Sequence, residues 1–425
     1  MKKLFITGLL TTITLFTWGQ RLEAIINAAE VERIEKVLAA DEMRGRKVFS
    51  PEIDKAADFI EDEFKAIGLR TLDASDHYRQ SFSLIRPKQI SAAATADGVN
   101  IDAQKLIVVS CLTDVKFDQS SDVEILTIKA GGNLSREAAA IKQYKKYMLV
   151  IVDESYASLF SRLTKRSIFK TDKSIAFILG TTVPKNFSIE AKQEITEQKL
   201  ANVVGIIPGK SKKNEFVVFS AHYDHIGTGT PVDGDSIYNG ANDDAAGTTA
   251  VILLANYFKS IKNNERTLVF AAFTAEESGG YGSQYFSKQF DADRVVAMFN
   301  IEMIGTESKW GKNSAYITGY EKTDMGTILQ KNLEGTGFTF YPDPYPQQQL
   351  FYRSDNATLA RLGVPAHTIS TSKMDNEPNY HKVSDEIETL DMQNMAMIIR
   401  SIALSATGII TGKETPSRVK QEDLR

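Results

Sequence analysis

Three stretches in the C-terminal half are built alike: FVVFSAHYDHIG (216–227), RTLVFAAFTAEESGG (266–280) and VVAMFNIEMIG (295–305). Each opens as a continuous apolar run, the pattern of a strand covered on both faces, and each closes in histidines or carboxylates. Between the first two lies GTTAVILLANYFKSI, apolar at helical spacing. Strand, helix and strand in alternation predict an α/β fold, and in open sheets of that kind ligands collect at the carboxyl ends of the strands. The polar residues fall at those ends.

The third stretch is the most demanding, because FNIEMIG places Glu302 inside a run that otherwise reads as buried. An unpaired buried carboxylate costs several kcal/mol or takes up a proton, so Glu302 needs a cation, a metal or a set of donors.

At 425 residues, 42% apolar and 24% charged, the chain exceeds what one core usually organises. Residues 26–69 alternate helix-like patterns, EVERIEKVLAADEMRG and then SPEIDKAADFIEDEFKAIGL. Residues 81–198 change to short β-rich runs, KLIVVSCLT, VEILTIKAG, YMLVIVDE and KSIAFILGT, the pattern of an inserted β-rich domain. The expected layout is a leader at 1–19, the first part of the main domain at 20–80, the insertion at 81–198, the rest of the main domain at 199–412 and a polar, frayed tail at 413–425.

The N-terminus, MKKLFITGLLTTITLFTWGQ, has two lysines, about a dozen apolar residues and then small or polar ones, the layout of a secretory signal peptide. Its apolar core is too short for a stable membrane span. Loss of residues 1–19 with Lys2 and Lys3 would take the 50 basic residues to 48 against 54 acidic, a balance that points neither to nucleic acid nor to a membrane surface. The one cysteine, Cys111, sits in an apolar run, so an intrachain disulfide and a cysteine zinc site are both excluded. Export to the periplasm or beyond is expected.

Five clusters carry the chemistry. AHYDHIG offers His222, Asp224 and His225, with His222 and Asp224 on one side of an extended chain; a metal-bound histidine commonly hands its second ring N–H to a carboxylate, and a decorated surface turn is the alternative. In NGANDDAAG, Asp243 and Asp244 are suited to capping the helix that follows or to bridging ions. In TAEESGG, adjacent Glu276 and Glu277 leave a rigid strand end, so that one can bind metal while the other takes a proton from activated water; a solvated acidic turn is the alternative. Glu302 is the fourth cluster, and His381 in YHKVSD, four residues before Asp385, is the fifth.

In that order, AHYDHIG, NDDAAG, TAEESGG, NIEMIG and YHKVSD resemble the motifs of the secreted co-catalytic zinc aminopeptidases, the superfamily of glutamate carboxypeptidase, the transferrin-receptor ectodomain and the glutaminyl cyclases. LAADEMRGRKVFSPEIDKAADFIEDEFKAIGL resembles the N-terminal segment of these enzymes, and the β-rich middle sits where many carry a protease-associated domain. The resemblance implies a mixed central sheet flanked by helices and two Zn2+ per chain, or one. His222 and Glu302 would hold one ion, Glu277 and His381 the other, with Asp243 bridging them. Glu276 would be the general base and Tyr380 a donor to the developing oxyanion. Asp224 would orient His222, Asp244 and Asp385 would lie behind the ligands, and Arg353 in FYRSDNATLARLGVPA would contact a peptide substrate.

The chain departs from the family pattern twice, with Glu302 where aspartate is usual and Asn356 where histidine is usual. Glutamate ligates zinc at about 2.0–2.2 Å, but its extra methylene shifts backbone or ion. The implied activity is removal of N-terminal residues from peptides. Its competitors are a single-zinc glutaminyl cyclase and a non-catalytic binding protein on the same scaffold; serine hydrolase chemistry lacks the G-x-S-x-G elbow.

Overall fold

A computed structural model describes residues 19–72, 77–164 and 167–424, so the leader expected at 1–19 lies almost wholly outside the described residues. No helix among them is long and apolar enough to cross a membrane. The chain divides into two compact units, one formed by the segments up to Ser81 and from Ala201, the other by Phe82–Leu200.

The first unit is organised by seven strands: β1 (Phe187–Ile207), which enters it at its C-terminal end, β2 (Lys212–His222), β3 (Arg266–Phe273), β4 (Val295–Ile301), β5 (Ser314–Ile317), β6 (Thr339–Pro342) and β7 (Ala366–Ser370). They lie in the order β6-β5-β7-β4-β2-β3-β1. The central four, β7, β4, β2 and β3, are parallel, while β5 and β1 join antiparallel, so the sheet is mixed. Register brings the three polar strand ends level, with His222 opposite Phe273 and Ser220 opposite Asn300. On one face of the same rows Phe219 stacks on Phe270 at 5.5 Å and on Phe299 at 4.9 Å. Flat aromatic contact across three strands fixes the height at which the polar ends emerge.

Helices bury that face. α1 (Ala28–Leu38) starts at Asn27, whose side chain accepts the Glu30 N–H, and turns Val31, Ile34, Glu35 and Leu38 inward at helical spacing. α2 (Pro51–Ile67) opens with proline in its first turn and stops at Gly68, whose φ of 75° is the left-handed conformation glycine supplies cheaply. α3 (Ala246–Ile261) is buried nearly all round, and its Phe258 meets Phe219 at 5.3 Å. α4 (Met392–Ser405) adds Met395, Ile398, Ile399 and Ile402 to the same core.

In the second unit the four β-rich runs pair as one sheet, ordered Leu106–Ser110, Ser174–Leu179, Tyr147–Val152 and Val123–Ile128. The last three are parallel, and Leu134–Ala140 and Ala157–Phe160 are helical in the connections. The segment expected to be β-rich thus forms a four-stranded sheet with short helices in its connections.

The tail expected to fray is instead docked on the first unit. Buried Arg266 donates to the carbonyls of Ile409 and Glu414 and to the Thr415 hydroxyl, and Val419 is buried with its N–H on the Gly363 carbonyl. A fully buried guanidinium needs several acceptors, and the polar segment provides them.

Candidate metal centre

His222 is the last residue of β2 and is buried. Its Nδ1–H donates to the backbone carbonyl of Asp224 at 3.0 Å, which fixes the ring and leaves Nε2 facing the site. The Asp224 carboxylate, expected to orient this ring, lies 3.8 Å from Nδ1, and its Oδ1 accepts the Glu276 N–H at 3.0 Å instead. Just past the end of β2, the Asp224 carbonyl comes nearer to the ring than the Asp224 side chain does. Asp224 thus joins the ends of β2 and β3, and burial raises its carboxyl to about 7.

The loop before α3 carries Asp243 and Asp244. Asp244 does the capping: Oδ1 accepts the Gly247 and Met303 N–H groups at 3.0 and 3.1 Å, and Oδ2 the His222 N–H at 3.3 Å. One carboxylate thereby ties together the end of β2, the start of α3 and the turn after β4. Asp385 does the same for the bridging candidate, accepting the Asn242 and Asp243 N–H groups at 2.9 and 3.0 Å. Gly240, with φ of 60°, has no room for a side chain: a Cβ would meet the Asp243 carbonyl at 2.3 Å and the His225 ring at 2.5 Å.

These supports bring the predicted ligands together. His222 Nε2 lies 3.3 Å from Asp243 Oδ1; on the other side His381 Nε2 lies 3.3 Å from Asp243 Oδ2 and 3.2 Å from Glu277 Oε1. Two donor sets share Asp243, one with His222 and Glu302, the other with His225 and Glu277, and within each set the donor atoms are within 4.8 Å of one another. His222 Nε2, both nitrogens of His225, Glu277 Oε1 and Glu302 Oε2 are buried without a hydrogen-bond partner. Buried donors rarely stay unpaired, so side chains this close, pointing at common volumes rather than bonding one another, are what a cation-binding pair of sites requires. The residues fit zinc: nitrogen and oxygen donors, and no sulfur.

Electrostatics agree. Burial would raise Asp243, but His222, His381 and His225 outweigh it and hold the carboxyl well below its usual range. Glu277 is likewise pushed up by burial but brought to about 2 by His225 and His381. Glu276 goes the other way: burial first, then Glu302, Asp355 and Glu277, raise its carboxyl well above the ordinary value against the pull of His222. Burial also lifts Glu302 to about 7. Asp243 and Glu277 are thus biased toward the charged form, and Glu276 and Glu302 toward holding a proton.

A cavity of about 260 Å³ opens on Asp243, Glu276, Glu277, Glu302 and His381, with Tyr380 and Arg353 on its rim. Tyr380 stacks on His381 at 3.9 Å and its hydroxyl is 3.4 Å from Arg353 Nη2. Tyr316, Leu350 and Met374 also line the cavity and pack together. Asn356 lies elsewhere: its Nδ2 donates to the Phe351 and Ala366 carbonyls and its Oδ1 accepts from Thr368, so the second family departure is a packing matter.

Sequence reasoning gave no role to two residues the structure puts at the centre. His225 stands in the first cluster, but nothing in its spacing distinguishes it from a surface histidine. Arg46, fully buried, donates to the carbonyls of Leu38, Tyr223, Asn239 and Gly240, on both sides of the ligand loops. An arginine flanked by Gly45 and Lys47 reads as solvent-exposed, and only the close approach of the two loops explains its burial.

A mixed α/β sheet with imidazoles and carboxylates converging at the ends of its parallel strands defines the class of the zinc exopeptidase scaffold. Residues 202–406 match the model of peptidase family M28. The chain is 29% identical over 203 residues to a probable leucine aminopeptidase of Trichophyton verrucosum, covering 46% of this chain and 53% of that protein. It is 32% identical over 237 residues to aminopeptidase YwaD of Bacillus subtilis, covering 53% and 48%. The chain thus spans about half the length of the curated relatives it matches. Among solved structures it is similar in fold to an aminopeptidase from Aneurinibacillus sp. strain AM-1, with a TM-score of 0.54 and 16% identity over 91% of this chain and 95% of that one. A zinc aminopeptidase from Bacillus subtilis gives a TM-score of 0.54 and 16% identity over 93% and 98%.

Proposed function

We propose that this chain is a zinc-dependent aminopeptidase that removes N-terminal residues from peptides. The observation that carries the reading is the pair of donor sets sharing Asp243 beside Glu276 in one cavity. His222, Asp243 and Glu302 would hold one ion, and Asp243, Glu277 and His381 the other. Bound zinc would supply Lewis-acid polarisation of the scissile carbonyl and activation of water.

The chain's own groups would do the rest. Glu276 accepts the proton from the attacking water and returns it to the leaving amine, a task its raised pKa suits. Tyr380 and Arg353 hold the substrate backbone at the cavity rim. The acidic cluster receives the free α-ammonium group, and Tyr316, Leu350 and Met374 take an apolar side chain of the first residue. Relatives named leucine aminopeptidase support that preference. The two lysines and apolar run of residues 1–19, read as a secretory leader, support export, with peptides outside the cytoplasm as substrates.

A panel of aminoacyl-arylamides and dipeptides, assayed with and without chelator, tests the reading. Release of N-terminal residues, abolished by chelator and lowered at least about 100-fold in Glu276→Gln, is the expected result. Full turnover by Glu276→Gln would refute it, as would turnover that chelators leave untouched.

A further inference from the structure

His225 is not needed by the reading above, yet it is buried inside the same cluster. Its Nδ1 lies 3.0 Å from Glu277 Oε1 and 4.0 Å from Asp243 Oδ2, and its ring stands edge-on to that of His381 at 5.8 Å. Despite the 3.0 Å separation, neither His225 Nδ1 nor Glu277 Oε1 makes a hydrogen bond, and Nε2 has no partner either. Two donor atoms side by side, neither directed at the other, share a target rather than a proton. The position is built: His225 N–H is held by the Arg46 carbonyl at 3.3 Å, and Gly240 leaves the space the ring fills.

We propose that His225 is a metal ligand, so that one of the two zinc sites is enclosed by four protein groups: His225, His381, Asp243 and Glu277. The inference rests on the dinuclear zinc reading and adds an asymmetry to it. Zinc enclosed by four protein ligands behaves as a structural ion, whereas catalytic zinc keeps a position free. The other donor set has three members, His222, Asp243 and Glu302. The four-ligand ion is therefore the tightly held one, and the position exchanged between water and substrate belongs to the His222 and Glu302 ion.

The test uses the full chain stripped of metal and titrated with Zn2+ against a chelating indicator, and with Co2+ followed by visible absorption. Wild type is expected to bind two equivalents in two affinity classes. In His225→Ala the tighter class weakens by at least about 100-fold and the intense absorption of the first Co2+ equivalent collapses, while the weaker class is kept. His225→Gln, with circular dichroism to verify folding, serves if the alanine variant does not fold. X-ray absorption of wild type loaded with one Zn2+ should count two imidazoles. One imidazole, or an unchanged tight class and Co2+ spectrum in a folded His225 variant, overturns the assignment of His225 and leaves the aminopeptidase reading standing. A wild-type chain that binds no zinc overturns both.

Discussion

Arg46 donates its Nε–H to the carbonyl oxygen of Tyr223 at 2.8 Å, and through that bond a side chain from the N-terminal segment holds the turn between His222 and Asp224. Its other donors reach the carbonyls of Asn239 and Gly240, four and three residues before Asp243. Lysine has three donors from one point and cannot span these acceptors, so Arg46→Lys leaves buried carbonyls unpaired. We expect a loss of about 3 kcal/mol or more in denaturant-melt stability, together with lowered zinc content. Wild-type stability in this variant would show that the guanidinium is dispensable.

Asp385 offers a smaller-scale case of the same design. Its two carboxylate oxygens satisfy the N–H groups of Asn242 and Asp243. Asp385→Ala orphans both donors, and the expected cost is about 2–4 kcal/mol from two buried unsatisfied groups. Thermal melts of the metal-free chain measure this without contribution from zinc; a difference under about 0.5 kcal/mol would mean the loop finds other acceptors.

How far these relationships were legible depends on distance along the chain. The strands and their polar ends were readable, because a continuous apolar run closing in His222, Glu276 or Glu302 is a local pattern. The convergence of His381 on Asp243 came from the resemblance alone, since no local rule joins residues so far apart. The partner of His222 was expected to be the Asp224 side chain, and the backbone two residues away serves instead. Arg46, His225 and the docked tail were invisible for one reason: each is polar, and its burial is decided by acceptors supplied from elsewhere in the fold.

His367 predicts a pH dependence of stability. Its Nδ1–H donates to the Thr318 carbonyl at 2.8 Å and its Nε2 accepts from the Thr323 hydroxyl at 2.7 Å, so the buried ring is neutral. Desolvation lowers its pKa from 6.5 to about 4. The unfolded chain therefore binds a proton that the native chain refuses. Stability is full above about pH 6.5 and falls as pH drops toward 4, by roughly 3 kcal/mol for this group. In urea melts from pH 7 to pH 4, His367→Gln should show a correspondingly flatter decline, and an equal slope in both proteins would contradict the prediction.

Glu302 follows β4 directly, and its carboxylate reaches the volume shared with His222 and Asp243 from a backbone pinned by the Ile369 carbonyl at 3.2 Å. That anchorage sets the side-chain length required. Shortening to aspartate retracts the carboxylate by roughly one carbon–carbon bond, about 1.5 Å. Because Asp244 holds the neighbouring Met303 N–H and the strand is fully packed, the backbone cannot advance to compensate. We therefore expect Glu302→Asp to weaken one of the two zinc equivalents about tenfold or more and to lower aminopeptidase turnover at limiting zinc, with recovery at excess zinc. Zinc titration of the variant beside the parent decides the matter. Equal or tighter binding by aspartate would mean that the family's usual residue suits this backbone as well, and that the longer side chain is not what the site requires.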